Sequence, residues 1–245
     1  MIPIGDDNRG RRTTPFVNYT LIVLNVLVFL YEVSLPMDQL EVFVYRFGIV
    51  PAEITQGVDI PPLAPFPIYL TILTSMFLHG GWAHLLGNML FLWIFGDNVE
   101  DSMGHLRYLI FYLLGGIGAA LAQIFLAGPD STTPMIGASG AIAAVLGAYF
   151  VMYPGGLVRV LVVLGFFITV VMVPAVIMIG LWFLLQLLSG LATLGIETQQ
   201  TGGVAFWAHV GGFVTGLVLV WVFRDPKAVE RQRAARRGYR AFQRW

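Results

Sequence analysis

Apolar runs separated by polar breaks recur along the chain at 16–33, 82–96, 106–127, 134–153, 174–188 and 204–223. A bilayer core is ~30 Å thick and takes about 20 apolar residues to cross as helix, so these runs predict spanning helices. The polar residues that stand out within them are Asn18, Asn25 and Glu32 in the first, His84 and Asn88 in the second, Ser139 in the fourth and His209 in the sixth. Residues 34–78 form a long, mildly acidic connection. Prolines at 51, 61, 62, 65 and 67 forbid a continuous helix through its second half, while Leu40 to Phe47 read as a short amphipathic helix on the outer surface. A loop of this length in a compact chain is usually functional. The stretch 157–190 is ambiguous, being apolar enough for two spans.

Charge resolves the ambiguity. Arg9, Arg11 and Arg12 precede the first apolar run, eight basic residues follow the last, and between 13 and 223 only Arg46, Arg107 and Arg159 are basic. Basic flanks stay cytoplasmic, which puts both termini inside and makes the number of spans even. Two spans within 157–190 would export the basic tail, so one span is expected at 174–188, with 157–173 an inner connection and a membrane-skimming or reentrant piece. The expected architecture is an all-α membrane protein, a six-transmembrane-helix bundle at 16–223. A short cytoplasmic arm at 1–15 precedes it and a basic cytoplasmic tail at 224–245 follows. Residues 191–203 read as a polar outer loop. In the tail, Tyr239, Phe242 and Trp245 recur every third residue among arginines, as on a surface helix facing anionic headgroups. The lipid bilayer, and no nucleic acid, is the partner this implies.

Composition agrees: 57% of residues are hydrophobic and 11% charged, and the mean hydropathy is +0.78. That excludes an ordinary soluble enzyme. With no cysteine, thiolate chemistry and Cys-based metal sites are excluded too.

Counted from Ser139 to the break at Pro154, Gly155 and Gly156, the fourth apolar helix is roughly 21 Å long and too short to span. Either 134–138 continue it, or they form a loop that dips into the membrane and leaves the serine about 9 Å below one surface. Gly137, Ser139, Gly140, Ala144 and Gly147 also suit a packing face. His209, followed by Gly212 and Gly216 on its own face, offers a small-residue stripe to match Gly140, Ala144 and Gly147. His84 and Asn88, four apart, share another helix face, where they could simply bond neighbouring helices.

Depth links these residues. His209 lies roughly 22 Å, and His84 roughly 20 Å, from the inner ends of their helices, so both stand near the level of Ser139. A serine nucleophile needs a base within reach and donors for the oxyanion. His209 is the candidate base, with His84, Asn88 and the Ser139 backbone N–H as candidate donors. No acidic residue lies at that depth, which predicts a Ser–His dyad with the histidine oriented by packing and by the serine alone.

These residues resemble the rhomboid family of intramembrane serine proteases. The matching motifs are Gly137-Ala138-Ser139-Gly140, the set His79, His84 and Asn88, and Ala208-His209 through Gly212 to Gly216. RFGIVP at 46–51 and Glu100-Asp101 before Gly104 are similar to further family signatures. The resemblance spans nearly the whole chain. It implies a water-filled cavity open to the outside, cleavage of single-pass transmembrane protein substrates, and no metal or cofactor. It also implies a multi-pass protein of a prokaryotic cell membrane. Ser139 would be the nucleophile, His209 the base, Gly137, His84 and Asn88 the oxyanion neighbourhood, and His79 a supporting residue. Ala143 departs from the family, which often has an aromatic there stacked on the histidine. The spacing of His79 and His84 does not supply the HExxH of a metalloprotease, and no internal repeat suggests a transporter. The alternative is a non-proteolytic rhomboid-like protein that binds membrane clients.

Overall fold

The computed structural model describes residues 2–192 and 204–242. Helix α1 (Phe16–Ser34) is followed by α2 (Met37–Phe47), α3 (Pro51–Gln56) and α4 (Thr71–Thr74). Then come α5 (Trp82–Met103), α6 (His105–Ala127), α7 (Ser139–Met152), α8 (Ala175–Ala192), α9 (Phe206–Phe223) and α10 (Pro226–Phe242). Among the described residues α1, α6, α8 and α9 are long and apolar enough to cross a membrane. Helix α5 is as long, but its last turns carry Asp97, Asn98, Glu100 and Asp101.

Helix α7 is the axis of the bundle. Every residue from Gly140 to Ala148 is buried, and its small side chains let α9 approach until backbones touch. A Cβ on Gly212 would collide with the Gly140 carbonyl oxygen, and one on Gly216 with that of Ala144. A Cβ on Gly147 would lie 2.5 Å from the Phe213 oxygen. The expected stripe of small residues is therefore the α7–α9 seam, where close backbone approach replaces side-chain volume as the source of dispersion energy. Because α7 begins at Ser139 and has 14 residues, it covers only ~21 Å; residues 134–138 are a loop and do not continue the helix.

The all-α expectation fails at 157–173. Strands β2 (Leu157–Leu164) and β3 (Phe167–Pro174) form an antiparallel hairpin, and β1 (Ile2–Gly5) pairs with β2 to complete a three-stranded sheet in the order β1-β2-β3. The connection is a two-residue turn with Gly165 at φ +58°. The physical reason lies in the side chains. Valine, isoleucine and threonine fill the stretch, and β-branched residues favour a pleated strand. Mean hydropathy registers such residues as membrane helix all the same. The single helix expected between 157 and 190 is present as α8.

The segments read as an arm and a tail pack into the bundle at the end opposite Ser139. Asp101 accepts from the backbone N–H groups of Arg12 and Thr13 at 2.9 and 2.8 Å, and pairs with Arg231 at 2.5 Å. Arg236, buried on α10, donates to Asn98 Oδ1 at 2.9 Å, while Arg233 donates to the Met152 carbonyl at 2.6 Å. The tail arginines thus satisfy polar ends of α5 and α7 as well as giving a positive face. Of the polar loop expected at 191–203, Leu191 and Ala192 are the end of α8, and residues 193–203, like Trp245, lie outside the described residues.

Candidate active site

The loop before Ser139 is held from two sides. Ile49 and Met135 exchange backbone hydrogen bonds at 3.0 and 2.7 Å, and the Gly137 N–H donates to the Ser75 carbonyl at 2.8 Å. The RFGIVP segment and the end of the long connection therefore fix where α7 begins, a physical role for that loop. Gly137 stands at φ +128°, and a Cβ there would lie 2.8 Å from His84 Nε2. Only glycine meets both demands, the positive φ and the approach to imidazole. Ser139 Oγ is 3.8 Å from the same point, so Gly137 brings the serine and His84 to one spot.

Ser139, His84, Asn88 and His209 line one cavity of about 720 Å³, together with Gln123 on α6 and Trp182 on α8. Ser139, His84 and His209, which sequence depth put at one level, thus face one space. The first turn of α7 has no side-chain cap, leaving its N–H groups, that of Ser139 included, pointing at the cavity end of the helix. His84 Nδ1 accepts from the Gly80 N–H at 3.4 Å, which leaves Nε2 to carry the proton on the Gly137 side.

Asn88 lines the cavity, yet its amide Nδ2 reaches His79 Nε2 at 3.0 Å. His79 is itself buried, anchored by its backbone N–H on Glu32 at 3.1 Å, and its ring meets that of His84 edge-on with centroids 5.0 Å apart. His79, expected in a supporting position, thus contacts Asn88 directly.

His209 is not oriented by packing and serine alone, as expected from the lack of an acid. Its Nδ1 lies 2.7 Å from Gln186 Oε1 on α8. The amide oxygen can only accept, so Nδ1 carries the proton and Nε2 is the basic nitrogen. Trp182, one turn away, approaches the imidazole with centroids 5.9 Å apart. At the other side Gln123 Oε1 accepts from the Ala208 N–H at 3.1 Å, securing the first turn of α9. Ala143 is buried against Gly212, so the place where an aromatic could stack is closed by the α7–α9 seam and the support comes from α8 instead. Among the described residues no hydrogen bond joins Ser139 to His209; catalytic contacts are often long before substrate binds.

Gln186 was findable. It is the one amide in the apolar α8 and lies roughly 18 Å from Pro174, near the depth of His209. Strongly polar groups inside a span mark function by default, and an uncharged amide at that depth is such a group although it is no acid.

Comparison with known proteins gives the family. Residues 68–226 match the Rhomboid domain. The chain is 30% identical over 215 residues to rhomboid protease GluP of Bacillus subtilis, an alignment covering 87% of this chain and 36% of that protein. It is 33% identical over 143 residues to rhomboid protease AarA of Providencia stuartii, covering 53% and 48%. To the chloroplastic rhomboid-like protein 11 of Arabidopsis thaliana it is 30% identical over 161 residues, covering 64% and 53%. The matched region spans about half or less of the length of these curated relatives. The chain belongs to the rhomboid family, and it is an integral membrane protein with several apolar helices.

Proposed function

We propose that this chain is an intramembrane serine endopeptidase that cleaves the transmembrane segments of single-pass membrane proteins. The observation that carries the reading is the shared cavity in which Ser139, at the uncapped start of α7, faces His209 with its Nδ1 held by Gln186. Ser139 Oγ attacks the scissile carbonyl carbon as His209 Nε2 takes the hydroxyl proton. The Ser139 N–H and His84 Nε2–H, with Asn88 beside them and Gly137 leaving the room, stabilise the oxyanion. The imidazolium returns its proton to the leaving amine, and water drawn from the cavity repeats the sequence on the acyl-enzyme. GluP and AarA carry the name protease, which supports the class of reaction.

In this reading α1, α5, α6, α7, α8 and α9 are the six membrane helices. Both termini are cytoplasmic, as the basic ends favour, and the setting is a prokaryotic cell membrane. The one rival is a client-binding protein without catalysis. Purified protein in liposomes with a panel of single-span substrates, compared with Ser139→Ala, separates them: cleavage by the wild type alone supports the peptidase, and equal results for both proteins overturn it.

A further inference from the structure

A second cavity, of about 460 Å³, opens at the end of the bundle opposite Ser139, between the starts of α6 and α10 and the residues leading into α1. Four arginines line it, Arg12, Arg107, Arg224 and Arg231, against two carboxylates, Asp101 and Asp225. Both acids are already engaged. Asp101 accepts from Arg12 N, Thr13 N, Arg231 and Gln232, and Asp225 accepts from the Lys227 N–H at 2.9 Å. Arg231 is spent as well, on Asp101 and on the Gly10 carbonyl at 2.9 Å. The guanidinium groups of Arg12, Arg107 and Arg224 meet no carboxylate among the described residues.

Their backbones are fixed nevertheless. The Arg12 N–H is bound to Asp101, and the Asp225 N–H donates to the Ser102 carbonyl at 2.6 Å. The 23-residue helix α6 begins at the cavity with no side-chain cap, adding its positive end to the three free cations. Guanidinium groups held around a space of this size suit the oxygens of a phosphate, which they bind in paired hydrogen bonds.

The walls beyond the cavity indicate where that phosphate comes from. On α6 and α9, Leu106 is 70% exposed, Trp221 61% and Val222 74%. Arg224 lies over the Trp221 ring at 4.0 Å, the pairing of cation and interfacial aromatic found at headgroup level. A phosphate seated between the arginines would have apolar surface directly alongside for acyl chains. We propose that Arg12, Arg107 and Arg224 form a binding site for the phosphate of an anionic phospholipid, whose chains run along the outer faces of α6 and α9. The site is independent of peptide hydrolysis.

Lipid titrations into detergent-solubilised full-length protein, followed by native mass spectrometry, test it with three probes: dioleoyl-phosphatidylglycerol, dioleoyl-phosphatidylcholine and soluble glycerol phosphate. Wild type should retain phosphatidylglycerol in preference to phosphatidylcholine, and glycerol phosphate should not displace it. Arg107→Gln and Arg224→Gln should each weaken retention about fivefold, the share of one basic residue at an anionic surface. Arg237→Gln, exposed and paired with Glu230 elsewhere on α10, should leave it unchanged. Because Arg107 and Arg224 are not buried, unchanged circular dichroism is expected for both variants. Wild-type retention by the double variant, or an equal loss in Arg237→Gln, would overturn the site. Glycerol phosphate binding as tightly as the lipid would overturn its assignment to a phospholipid.

Discussion

Gln186 Oε1 stands 2.7 Å from His209 Nδ1 and so occupies the place that a carboxylate holds in a Ser–His–Asp triad. An amide there fixes the tautomer without adding charge. Gln186→Leu should lower kcat by about ten- to a hundredfold with KM little changed, part of what a positioned base contributes. Gln186→Glu should keep much of the activity and move the acid side of the pH–rate profile to higher pH, since a carboxylate favours the imidazolium. A profile that does not move, with activity equal in both variants, would show that the amide serves packing.

Ser139→Ala and His209→Ala should each remove cleavage, and the double variant should be no worse than either, because dyad members act as a unit. Melting temperatures should stay close to that of the wild type. Cleavage surviving in Ser139→Ala would end the assignment.

On the proposed reading, His84 and Asn88 are oxyanion donors and His79 is a support. His84→Ala or Asn88→Ala should slow turnover by roughly ten- to a thousandfold. His79→Ala releases the Asn88 amide from its 3.0 Å contact and should cost less, with no added loss in the presence of Asn88→Ala. Single-turnover rates on the double-mutant cycle measure this coupling.

Gly212→Leu should be among the most damaging substitutions in the chain, because its Cβ meets the Gly140 backbone rather than a side chain that could turn away. Overpacking a seam of this kind costs about 1–3 kcal/mol or more, and separation of α7 from α9 also parts Ser139 from His209. Activity and thermal stability should fall together; full activity at an unchanged melting temperature would show that the seam can open.

Asp6 predicts a pH dependence of stability. Burial first, and then the Asp97 carboxylate beside it, push its pKa up to about 7, against hydrogen bonding from Tyr149. The folded protein therefore holds a proton that the unfolded chain releases near the ordinary value of 3.8. Stability contributed by this group is complete below that value and is lost as pH rises to about 7. Melting temperature should fall by several degrees across this window, and Asp6→Asn should flatten the slope. A wild-type curve that rises there would contradict the assignment.

Much of the site was legible because intramembrane polar residues are few and a 1.5 Å rise per residue converts sequence distance into depth. Ser139, His84 and His209 were placed at one level by that arithmetic, and Asn88 on one face with His84; the cavity joins all four. The sheet was not legible to the same method. Counting apolar residues cannot distinguish Val158, Val160 and Val162 in a strand from leucines in a span, whereas their β-branching could have. The ties of Arg231 and Arg236 to α5 were hidden for another reason: they join residues more than a hundred positions apart, and the positive-inside rule already explained the charges.

Those ties bear on how the protein is made. While the chain emerges from the ribosome, Asp97, Asn98 and Asp101 leave the exit tunnel long before Arg231, Gln232 and Arg236, and β2 is synthesised long after β1. The helices can be threaded into the bilayer one by one, but the face formed by both ends of the chain waits for α10. Until then Asp101 has only its N-terminal partners at Arg12 and Thr13, and Asn98 Oδ1 lacks Arg236. Assembly must finish after synthesis of the membrane helices is complete, and a nascent chain stalled before residue 231 should be the form most readily recognised by membrane quality-control proteases.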